Sequence, residues 1–478
     1  MKKAVLGIVA ILVIGALALP PVLGIMTESR FRESLTSMDG HALVALDIES
    51  YDRGWFSSLA RISIGVDPDY ARTMMGVDDP NSANGLAAAF VADAKITFIV
   101  DIDHGPLVLR NGLYVGLSRF VARPDPESEV VRELQTRLAM PYLVEVRGRL
   151  GLFGRFEFDG DVPPIDYADE DGAVLFSGLL VDGSYRGRNL LANGRIDELS
   201  FDSVDAAGQI RGVSFAGDTE WISRYLWIGD AEFGIDNIIL TNPIIGEEML
   251  NVDGLHISAD ADVDDAGELM RASLSYKADS VEAEPEIVVT NAELTIGIEN
   301  FAVAALNAYN EALATLDPND PFAALGFVRE LGAQLLERDP SIEIAPLRFE
   351  YLGEPFNANI ELRTAPGAGQ GGIDLANPML LAGLFEVSAD AVVSKTLAQE
   401  IATMVVEGQL SAALADQELP PGESIAQMAA QQAEVMLATF AAQGLILETG
   451  DTYTTNIEYA GGEITINGTP LPLGMMFQ

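Results

Sequence analysis

Cysteine is absent from the whole chain of 478 residues. Disulfide bonds are therefore excluded, and so are thiol catalysis and thiolate metal sites. The fold has to rest on the burial of apolar side chains and on hydrogen bonds. Apolar residues make up 49% of the chain, which is enough for a large core and argues against disorder.

Basic residues are scarce as well. Lys and Arg number 28 against 72 Asp and Glu, which gives a formal net charge of −44 at pH 7. Such a chain repels phosphate backbones, so we expect no nucleic-acid partner. The same net charge disfavours electrostatic docking of the whole protein onto anionic lipid headgroups. Nonspecific binding of divalent cations to the acidic surface stays open.

We expect the excess of negative charge to make stability depend on salt. Self-repulsion destabilises the compact state, and moderate salt screens exposed charges beyond about 10 Å. The thermal midpoint should therefore rise between low and moderate NaCl when it is measured by calorimetry at constant pH. A midpoint that stays in place would contradict this expectation.

Histidine occurs only three times, at the widely separated positions His41, His104 and His256. His41 and His256 have no obvious carboxylate or serine companion at catalytic spacing, and the three histidines lie far apart in sequence, so zinc binding and triad chemistry are not expected. The sequence also contains no phosphate-binding loop, nucleophile elbow or zinc-protease helix motif. We therefore predict a protein that is not an enzyme, with no catalytic residue, no cofactor and no metal.

An uncharged run over residues 4–25 follows two lysines at the N-terminus. About 20 mostly apolar residues suffice to cross a bilayer as a helix, and the lysines keep their end in the cytoplasm. The run therefore favours an inner-membrane anchor with the rest of the chain exported. A cleaved signal peptide is the alternative, because Ala16-Leu17-Ala18 has the form of a cleavage site.

Apolar and polar residues alternate from about residue 41 to residue 300. Strict alternation is typical of strands with one buried and one solvated face, and such strands are typical of antiparallel sheets. The clearest examples are the segments 46–49, 61–66, 95–103, 144–147, 155–159, 255–264 and 291–299.

After residue 300 the sequence alternates between helical and strand patterns. Capping residues and helical spacing predict helices at 302–316 and 320–340, after Ser394, and from Ser424 to a stop at Gly444. Period-two segments predict a strand at 356–363 and a closing hairpin from Thr454 to Tyr459 and Glu463 to Asn467.

Together these patterns predict an α+β fold. We expect an extended, twisted, mainly antiparallel β-sheet with helices concentrated in the C-terminal third, plus one N-terminal transmembrane helix. Residues 1–25 are assigned to the membrane anchor, 26–300 to a β-rich periplasmic domain and 301–478 to an α+β domain. The Pro/Gly-rich connections are too short to act as independent linkers.

Three short motifs occur in order along the chain. They are Tyr51-Asp52-Arg53-Gly54-Trp55-Phe56-Ser57-Ser58, then His104-Gly105-Pro106-Leu107, then Gly462 to Leu471 with Asn467-Gly468 inside it. Beside one N-terminal hydrophobic run, their order and spacing resemble the YdgA-like family of bacterial envelope proteins. The resemblance implies a single-pass inner-membrane protein of Gram-negative bacteria with a periplasmic body. That family has no agreed activity, so it supplies no catalytic residues.

These motifs provide our candidate structural or docking residues. Gly54 should allow a tight bend between two strands, with Trp55 and Phe56 packed beneath it. The alternative is that the two aromatic side chains form a docking surface near the membrane. His104 precedes a turn-forming pair and is expected to be a hydrogen-bonded structural residue. The full set is Tyr51, Arg53, Gly54, Trp55, Phe56, His104, Gly105, Pro106, Asn467 and Gly468.

Two functions are compatible with the sequence. The first is a non-enzymatic, membrane-anchored periplasmic factor that binds or scaffolds envelope proteins or forms a homo-oligomer. The second is a carrier of lipid or another apolar ligand, held in a groove along the apolar face of the sheet. This second function rests on analogy with other envelope proteins of similar fold. An unfilled apolar groove would favour the carrier, and a fully packed core would exclude it.

Overall fold

The computed structural model describes two compact units of the chain. Unit 1 comprises residues up to Phe233 together with Pro243–Ile245, and unit 2 comprises Gly234–Asn242 and the residues from Gly246 onwards. The described residues are 23–29, 31–32, 44–66, 96–108, 114–169, 172–203, 206–223, 225–283, 287–315, 331–365, 368, 383–413 and 424–471.

Unit 1 is built mainly of strands. Residues 23–29 and 31–32 are helical, and helix α1 (Glu129–Arg137) follows strand β6. Strand β14 (Trp227–Thr241) runs from unit 1 into unit 2. The other strands of unit 1 are β1 (Val44–Arg53), β2 (Ser57–Val66), β3 (Ile96–His104), β4 (Leu107–Val108), β5 (Tyr114–Val115), β6 (Ser118–Pro124), β7 (Glu145–Leu150), β8 (Phe156–Val162), β9 (Ile165–Ala168), β10 (Gly172–Phe176), β11 (Leu179–Arg186), β12 (Asn189–Ser203) and β13 (Ala207–Trp221).

Antiparallel pairs connect these strands. The order across the sheet is β1-β2-β3-β6-β7-β8-β11-β12-β13. Strands β9 and β10 pair with each other, and β10 pairs with the C-terminal part of β12. Strands β4 and β5 form a separate two-stranded sheet.

The registers place many strand ends along one edge of this sheet. His104 ends β3 opposite Ser118, the first residue of β6, and Ser118 also pairs with Leu150 at the end of β7. Leu150 pairs with Phe156 at the start of β8. The registers of the neighbouring strands place three more features at this edge: the β1–β2 turn, the β11–β12 turn and the end of β13. We call it the His104 edge.

The apolar face of the sheet forms the core of unit 1. Val100 and Ile102 are 1% and 2% exposed, whereas Asp101 between them is exposed. Full burial of an aliphatic side chain of this size contributes about 1.5–3 kcal/mol. The alternation predicted from the sequence therefore selects the core. The buried cluster is Ala60, Ile62, Val100, Ile102, Phe120 and Ala122.

Unit 2 combines an antiparallel sheet with helices. The sheet order is β15-β16-β17-β18-β19-β20-β22, with β21 and β23 also paired to β22 and β24 paired to β23. Its strands are β15 (Glu248–Val263), β16 (Leu269–Ala283), β17 (Ile287–Ala302), β18 (Ser341–Tyr351), β19 (Glu354–Thr364), β20 (Phe385–Ser394), β21 (Leu447–Thr449), β22 (Thr452–Ala460), β23 (Glu463–Ile466) and β24 (Thr469–Leu471). Its helices are α2 (Val303–Thr315), α3 (Lys395–Ala413) and α4 (Ile425–Ala442), and residues 331–336 are also helical.

Small residues form the contact between α3 and α4. Ala398, Ala402, Ala433 and Leu437 make one buried cluster, against which Tyr453 of β22 packs. Ala433 is fully buried. The distance between packed helices depends on the side chains at the contact, so alanine at these positions lets the two helices approach closely.

The prediction of a mainly antiparallel sheet with a few helices is confirmed. Ser394 and Ser424 precede α3 and α4, and each side-chain oxygen accepts a backbone N–H bond from three residues later, at 3.0 and 3.2 Å. The closing hairpin turns at Gly461 and Gly462, both with positive φ. Helix α1 was not predicted. It is a nine-residue insertion after Ser128, within the region that alternation assigned to strands.

Two predictions fall mainly outside the described residues. These are the membrane anchor over 4–25 and the helix at 320–340, of which only the part after residue 330 is described. None of the helices in the described part of the chain combines the length and the apolar character needed to cross a bilayer. The proposed domain limits at residues 25 and 300 stay predictions.

Candidate ligand-binding site

The first motif forms the turn between β1 and β2. Gly54 N–H donates to Ser57 O at 2.8 Å, and a Cβ on Gly54 would lie 2.7 Å from that oxygen. The predicted bend is therefore confirmed. The prediction that Trp55 and Phe56 pack beneath it is wrong, because these side chains are 58% and 55% exposed. The bend is closed by its own backbone hydrogen bond and leaves the aromatic rings outside.

A buried hydrogen bond joins the first motif to the second. Ser58 Oγ and His104 Nε2 are 2.8 Å apart, and the two residues are 5% and 4% exposed. Strand pairing explains the contact, because Ser58 lies opposite Ile102 in β3. His104 N–H also donates to Phe56 O at 2.8 Å. His104 is thus hydrogen-bonded, as its position before the turn suggested.

Burial changes the ionisation of this cluster. It lowers the pKa of His104 below the ordinary value of 6.5, and the nearby Trp55 backbone offsets part of that effect. It also raises the pKa of Tyr51, whose hydroxyl lies near Ser58 without a hydrogen bond of standard geometry. His104 Nδ1 is likewise buried without such a bond. The folded protein therefore favours a neutral imidazole and a neutral phenol.

The serine–histidine pair lacks the geometry of a hydrolytic site. A catalytic serine has to reach its substrate, and its histidine needs a third group that orients the ring. Ser58 is almost completely buried, and His104 Nδ1 has no carboxylate bonded to it. What the pair does in this geometry is to fix the start of β2 against the end of β3.

The lowered pKa of His104 predicts a specific pH dependence. The unfolded chain takes up a proton on this histidine near pH 6.5, while the folded protein resists protonation. As pH falls through that value, the free energy of unfolding should fall, by at most about 1.4 kcal/mol per pH unit. Urea unfolding at several pH values should show a flatter profile for His104→Gln than for the wild type.

His256→Gln in unit 2 is the matched control for that experiment, because it also removes one histidine. It leaves the buried pair of Ser58 and His104 intact, so it separates the loss of that pair from the loss of a histidine as such. Identical profiles for the wild type and His104→Gln would show that His104 does not resist protonation in the folded state.

The Gly-Pro step of the second motif brings two backbones very close together. Gly105 N–H donates to Leu117 O at 2.7 Å, and Gly116 N–H donates to Pro106 O at 3.2 Å. A Cβ on Gly105 would lie 1.8 Å from Gly116 O, a space that no side chain can share. Glycine is therefore required here by close approach of the chain to itself.

The helical residues 23–29 pack against the second motif. A Cβ on Gly24 would lie 2.6 Å from His104 Cε1, so the helix backbone rests on the imidazole ring. The Thr27 hydroxyl donates to Leu117 O at 3.4 Å and is buried. Gly24 and His104 thus fit each other at the His104 edge.

The same helical segment also contacts the first motif. Glu28 forms an ion pair with Arg53 at 2.8 Å. The rings of Phe31 and Tyr51 lie 5.8 Å apart, and the Arg32 guanidinium lies 5.5 Å from the centre of the Tyr51 ring. Tyr51 and Arg53 of the first motif therefore join His104 of the second, which is far away in sequence, to form one seat for the N-terminal helical segment.

An apolar cavity of about 300 Å³ adjoins this seat. Residues from the apolar face of β1, β2, β3, β6, β7, β8 and β11 form its walls, with Ile62, Phe98 and Phe158 as examples. Thr27 and Phe31 of the helical segment line it as well. The volume is at the lower end of the usual range for small-ligand pockets, roughly 300–1,000 Å³. The core of unit 1 is therefore not fully packed.

The third motif lies in unit 2. Asn467 and Gly468 have φ values of 50° and 75° and turn the chain between β23 and β24. The Asn467 side chain donates to Gly444 O at 2.8 Å and accepts from Asn456 N–H at 2.8 Å. Asn467 thus ties this turn to the C-terminal end of α4 and to β22, which is a structural task within unit 2.

The candidate set from the sequence omitted three residues of this region. Ser58 belongs to the first motif, and only the pairing of β2 with β3 shows that it meets His104. Thr27 and Phe31 gave no sequence signal, because their helix follows directly on the long uncharged run. Across the ranges that the structure describes, no three His, Asp or Glu side chains are placed to hold a metal ion.

The fold and the site define a class of protein. It is a mainly antiparallel β-sheet protein with an apolar cavity, and the first and second sequence motifs are hydrogen-bonded to each other beside that cavity. The chain belongs to the family described as "Bacterial protein of unknown function (DUF945)", whose model matches residues 1–474. It is similar to Protein YdgA of Escherichia coli (strain K12), with 22% identity over 449 residues, 89% of this chain and 84% of the relative. The resemblance to the YdgA-like family is thereby confirmed. No solved structure matches the chain significantly.

Proposed function

We propose that the protein is a non-enzymatic envelope protein that binds an apolar ligand, such as a lipid acyl chain, in the cavity of unit 1. The observation that carries the proposal is the cavity of about 300 Å³ on the apolar face of the sheet. The uncharged run over residues 4–25 supports a tether in the inner membrane with the body in the periplasm.

The lining favours an apolar occupant. The walls of the cavity are almost entirely apolar, so a hydrocarbon chain that displaces water from them gains about 0.8 kcal/mol per buried methylene. No charged side chain is among the described residues that line the cavity, so the buried part of the ligand should be uncharged.

Photo-crosslinking in the full-length protein tests the proposal. Benzoyl-phenylalanine in place of Phe98, inside the cavity, should attach to the ligand on irradiation, and intact mass spectrometry should show an adduct with the mass of an apolar molecule. The same amino acid in place of Tyr276, an exposed residue of unit 2, should give no such adduct. Failure to detect an adduct at position 98 in a folded protein would refute ligand binding in the cavity.

A cavity-filling substitution gives a second, independent readout. Ala122 is buried and lines the cavity, whereas Ala173 is exposed on β10. Ala122→Leu should reduce the yield of the adduct at position 98, because its added methyl groups occupy ligand volume. Ala173→Leu, the matched control, should leave the yield unchanged. Equal yields in the two variants would place the bound molecule outside the cavity.

The proposed localisation has a simple test, because the chain has no cysteine of its own. Val435→Cys introduces a single thiol at a position that is 66% exposed in unit 2. A membrane-impermeant maleimide should label this variant in cells whose outer membrane has been permeabilised. Labelling that requires disruption of the inner membrane would refute a periplasmic body.

A scaffold that binds a protein partner is the second candidate. The observation in its favour is an exposed apolar stripe on α3, formed by Ile401, Met404 and Val405 at helical spacing. Met404→Glu should then abolish association, either with another envelope protein or with a second copy, in sedimentation experiments on the full-length protein. An unchanged sedimentation coefficient for the variant would argue against this use of α3.

A further inference from the structure

Five connections of unit 1 converge at the His104 edge. They are the β1–β2 turn, the segment after β3, the β7–β8 turn, the β11–β12 turn and the segment after β13, and the strand registers place all of them at this edge. The helical residues 23–29 are seated here too, through Gly24 and Thr27.

These connections expose large apolar and aromatic side chains. Trp55 and Phe56 stand on the β1–β2 turn, and Phe153 on the β7–β8 turn is 89% exposed. The chain has three tryptophans, and all of them lie at this edge: Trp55, Trp221 at the end of β13 and Trp227 at the start of β14. Tryptophan is typical of membrane–water interfaces, where its ring is partly apolar and partly polar.

Four of these connections, all except the segment after β13, carry a charge opposite to that of the chain. The described segments 53–56, 105–108, 114–117, 149–155 and 186–189 contain no Asp or Glu, in a chain with 72 of them. They contain five arginines, namely Arg53, Arg149, Arg155, Arg186 and Arg188.

Two of these arginines have no acidic partner among the residues that the structure describes. Arg53 pairs with Glu28, and Arg149 and Arg155 both pair with Glu157. Arg186 and Arg188 are exposed and form no ion pair within the described part of the chain. Guanidinium groups bind phosphate oxygens in bidentate geometry.

Acidic residues lie at both ends of the same strands. Asp103, Glu157 and Glu220 are each one residue from a strand end at the His104 edge. At the opposite ends, Asp125 follows β6, Asp161 lies one residue before the end of β8, and Asp202 lies near the end of β12. A seven-residue strand spans about 23 Å, and charges are screened beyond about 8 Å at physiological salt. The potential at the His104 edge therefore depends on the local charges, which are the arginines of the turns and the acidic residues at the adjoining strand ends, and only weakly on the net charge of the protein.

We propose that the His104 edge is a membrane-docking surface, which rests on anionic phospholipid headgroups with Trp55, Phe56 and Phe153 inserted between them. The position of the uncharged run supports this choice of partner, because that run ends at Ile25, beside the seat on His104. The proposal concerns the outside of unit 1 and stands whether or not the cavity holds a ligand.

Fluorescence quenching by brominated lipids tests the contact. Full-length protein with Trp221→Phe and Trp227→Phe retains Trp55 as its only tryptophan, and it is reconstituted into vesicles of phosphatidylethanolamine and phosphatidylglycerol. Phospholipids brominated near the headgroup should quench Trp55 strongly, and lipids brominated near the chain end should quench it less. Equal emission in brominated and plain vesicles would overturn the proposal.

Charge and insertion variants separate docking from mere tethering. Each headgroup-facing arginine should change the docking constant roughly fivefold, so Arg186→Gln with Arg188→Gln should weaken docking about 30-fold and reduce the quenching of Trp55. Phe153→Ser should reduce it too, whereas Ile244→Ser, at an 87% exposed site in the turn after β14, should not. If the quenching of Trp55 were the same in the wild type, in the arginine variant and in Phe153→Ser, the proposal would be overturned. The membrane tether alone would then explain why Trp55 lies near lipid.

Discussion

Gly105→Ala is expected to destabilise unit 1 more than any other change considered for this protein, by about 3 kcal/mol or more. The new Cβ would meet Gly116 O at 1.8 Å, and a backbone oxygen cannot rotate away as the tip of a side chain can. Relief requires β3 and the segment before β6 to separate, which breaks the bond from Gly105 N–H to Leu117 O. Urea unfolding followed by tryptophan fluorescence measures the effect, since Trp55, Trp221 and Trp227 all lie in unit 1.

Gly151→Ala provides the matched control for this experiment. Gly151 lies at the same edge, in the β7–β8 turn, but its nearest neighbour to a new Cβ is Arg155 O at an ordinary 3.4 Å. The free energy of unfolding of this variant should stay within about 0.5 kcal/mol of the wild type. If the two variants unfolded at the same urea concentration, the close approach at Gly105 would not be the reason for glycine there.

Ala433→Leu is expected to have the next largest effect, a loss of about 1–3 kcal/mol in unit 2. Ala433 is fully buried between α3 and α4 and packs in one cluster with Ala398 and Ala402. Three added heavy atoms have no space at this contact, so the helices must move apart and expose Leu437. Hydrogen exchange followed by mass spectrometry should show faster exchange in peptides from α3 and α4.

Ala438→Leu isolates packing from helix propensity. Ala438 is on the same helix but exposed, and Ala and Leu differ little in helix propensity. Exchange in α3 and α4 should therefore stay at the wild-type rate. Faster exchange in both variants would show that leucine disturbs α4 in general and that the alanine contact is not special.

Period-two patterning was sufficient to predict the core of unit 1. Ile62, Phe98, Val100 and Ile102 alternate with polar residues in sequence, and they share the apolar face in the structure. The turn at Asp264 to Gly267 also depends on local chemistry, because Asp264 Oδ1 accepts from Glu268 N–H at 2.7 Å, as a turn aspartate commonly does. Local chemistry decides such features, so the sequence reveals them.

Local signals failed where the outcome depends on distant neighbours. Gly217 and Asp218 are residues that favour turns, yet both lie inside β13, because a 15-residue strand paired to β12 overrides a weak turn preference. Trp55 and Phe56 were expected inside, since a sequence does not distinguish a buried aromatic ring from one held at the tip of a turn. The partnership of Ser58 with His104 depends on register, which becomes visible only when β2 is paired with β3.

The sequence left two alternatives open for the apolar face of the sheet, an unfilled groove and a fully packed core. An apolar strip along several strands is compatible both with a filled core and with a groove, and the difference lies in how side chains from seven strands fit one another. Phe31 illustrates the point, because it lines the cavity from a helical segment that has no periodic signal of its own.

The contact between Gly24 and His104 fixes how far the cavity of unit 1 lies from the end of the uncharged run. The uncharged run ends at Ile25, and the cavity wall begins two residues later at Thr27, a rise of about 3 Å along a helix. If that run lies in the bilayer, hydrocarbon inside the membrane and hydrocarbon inside the protein are separated by less than one helical turn. An acyl chain could then pass from one to the other without crossing a layer of water.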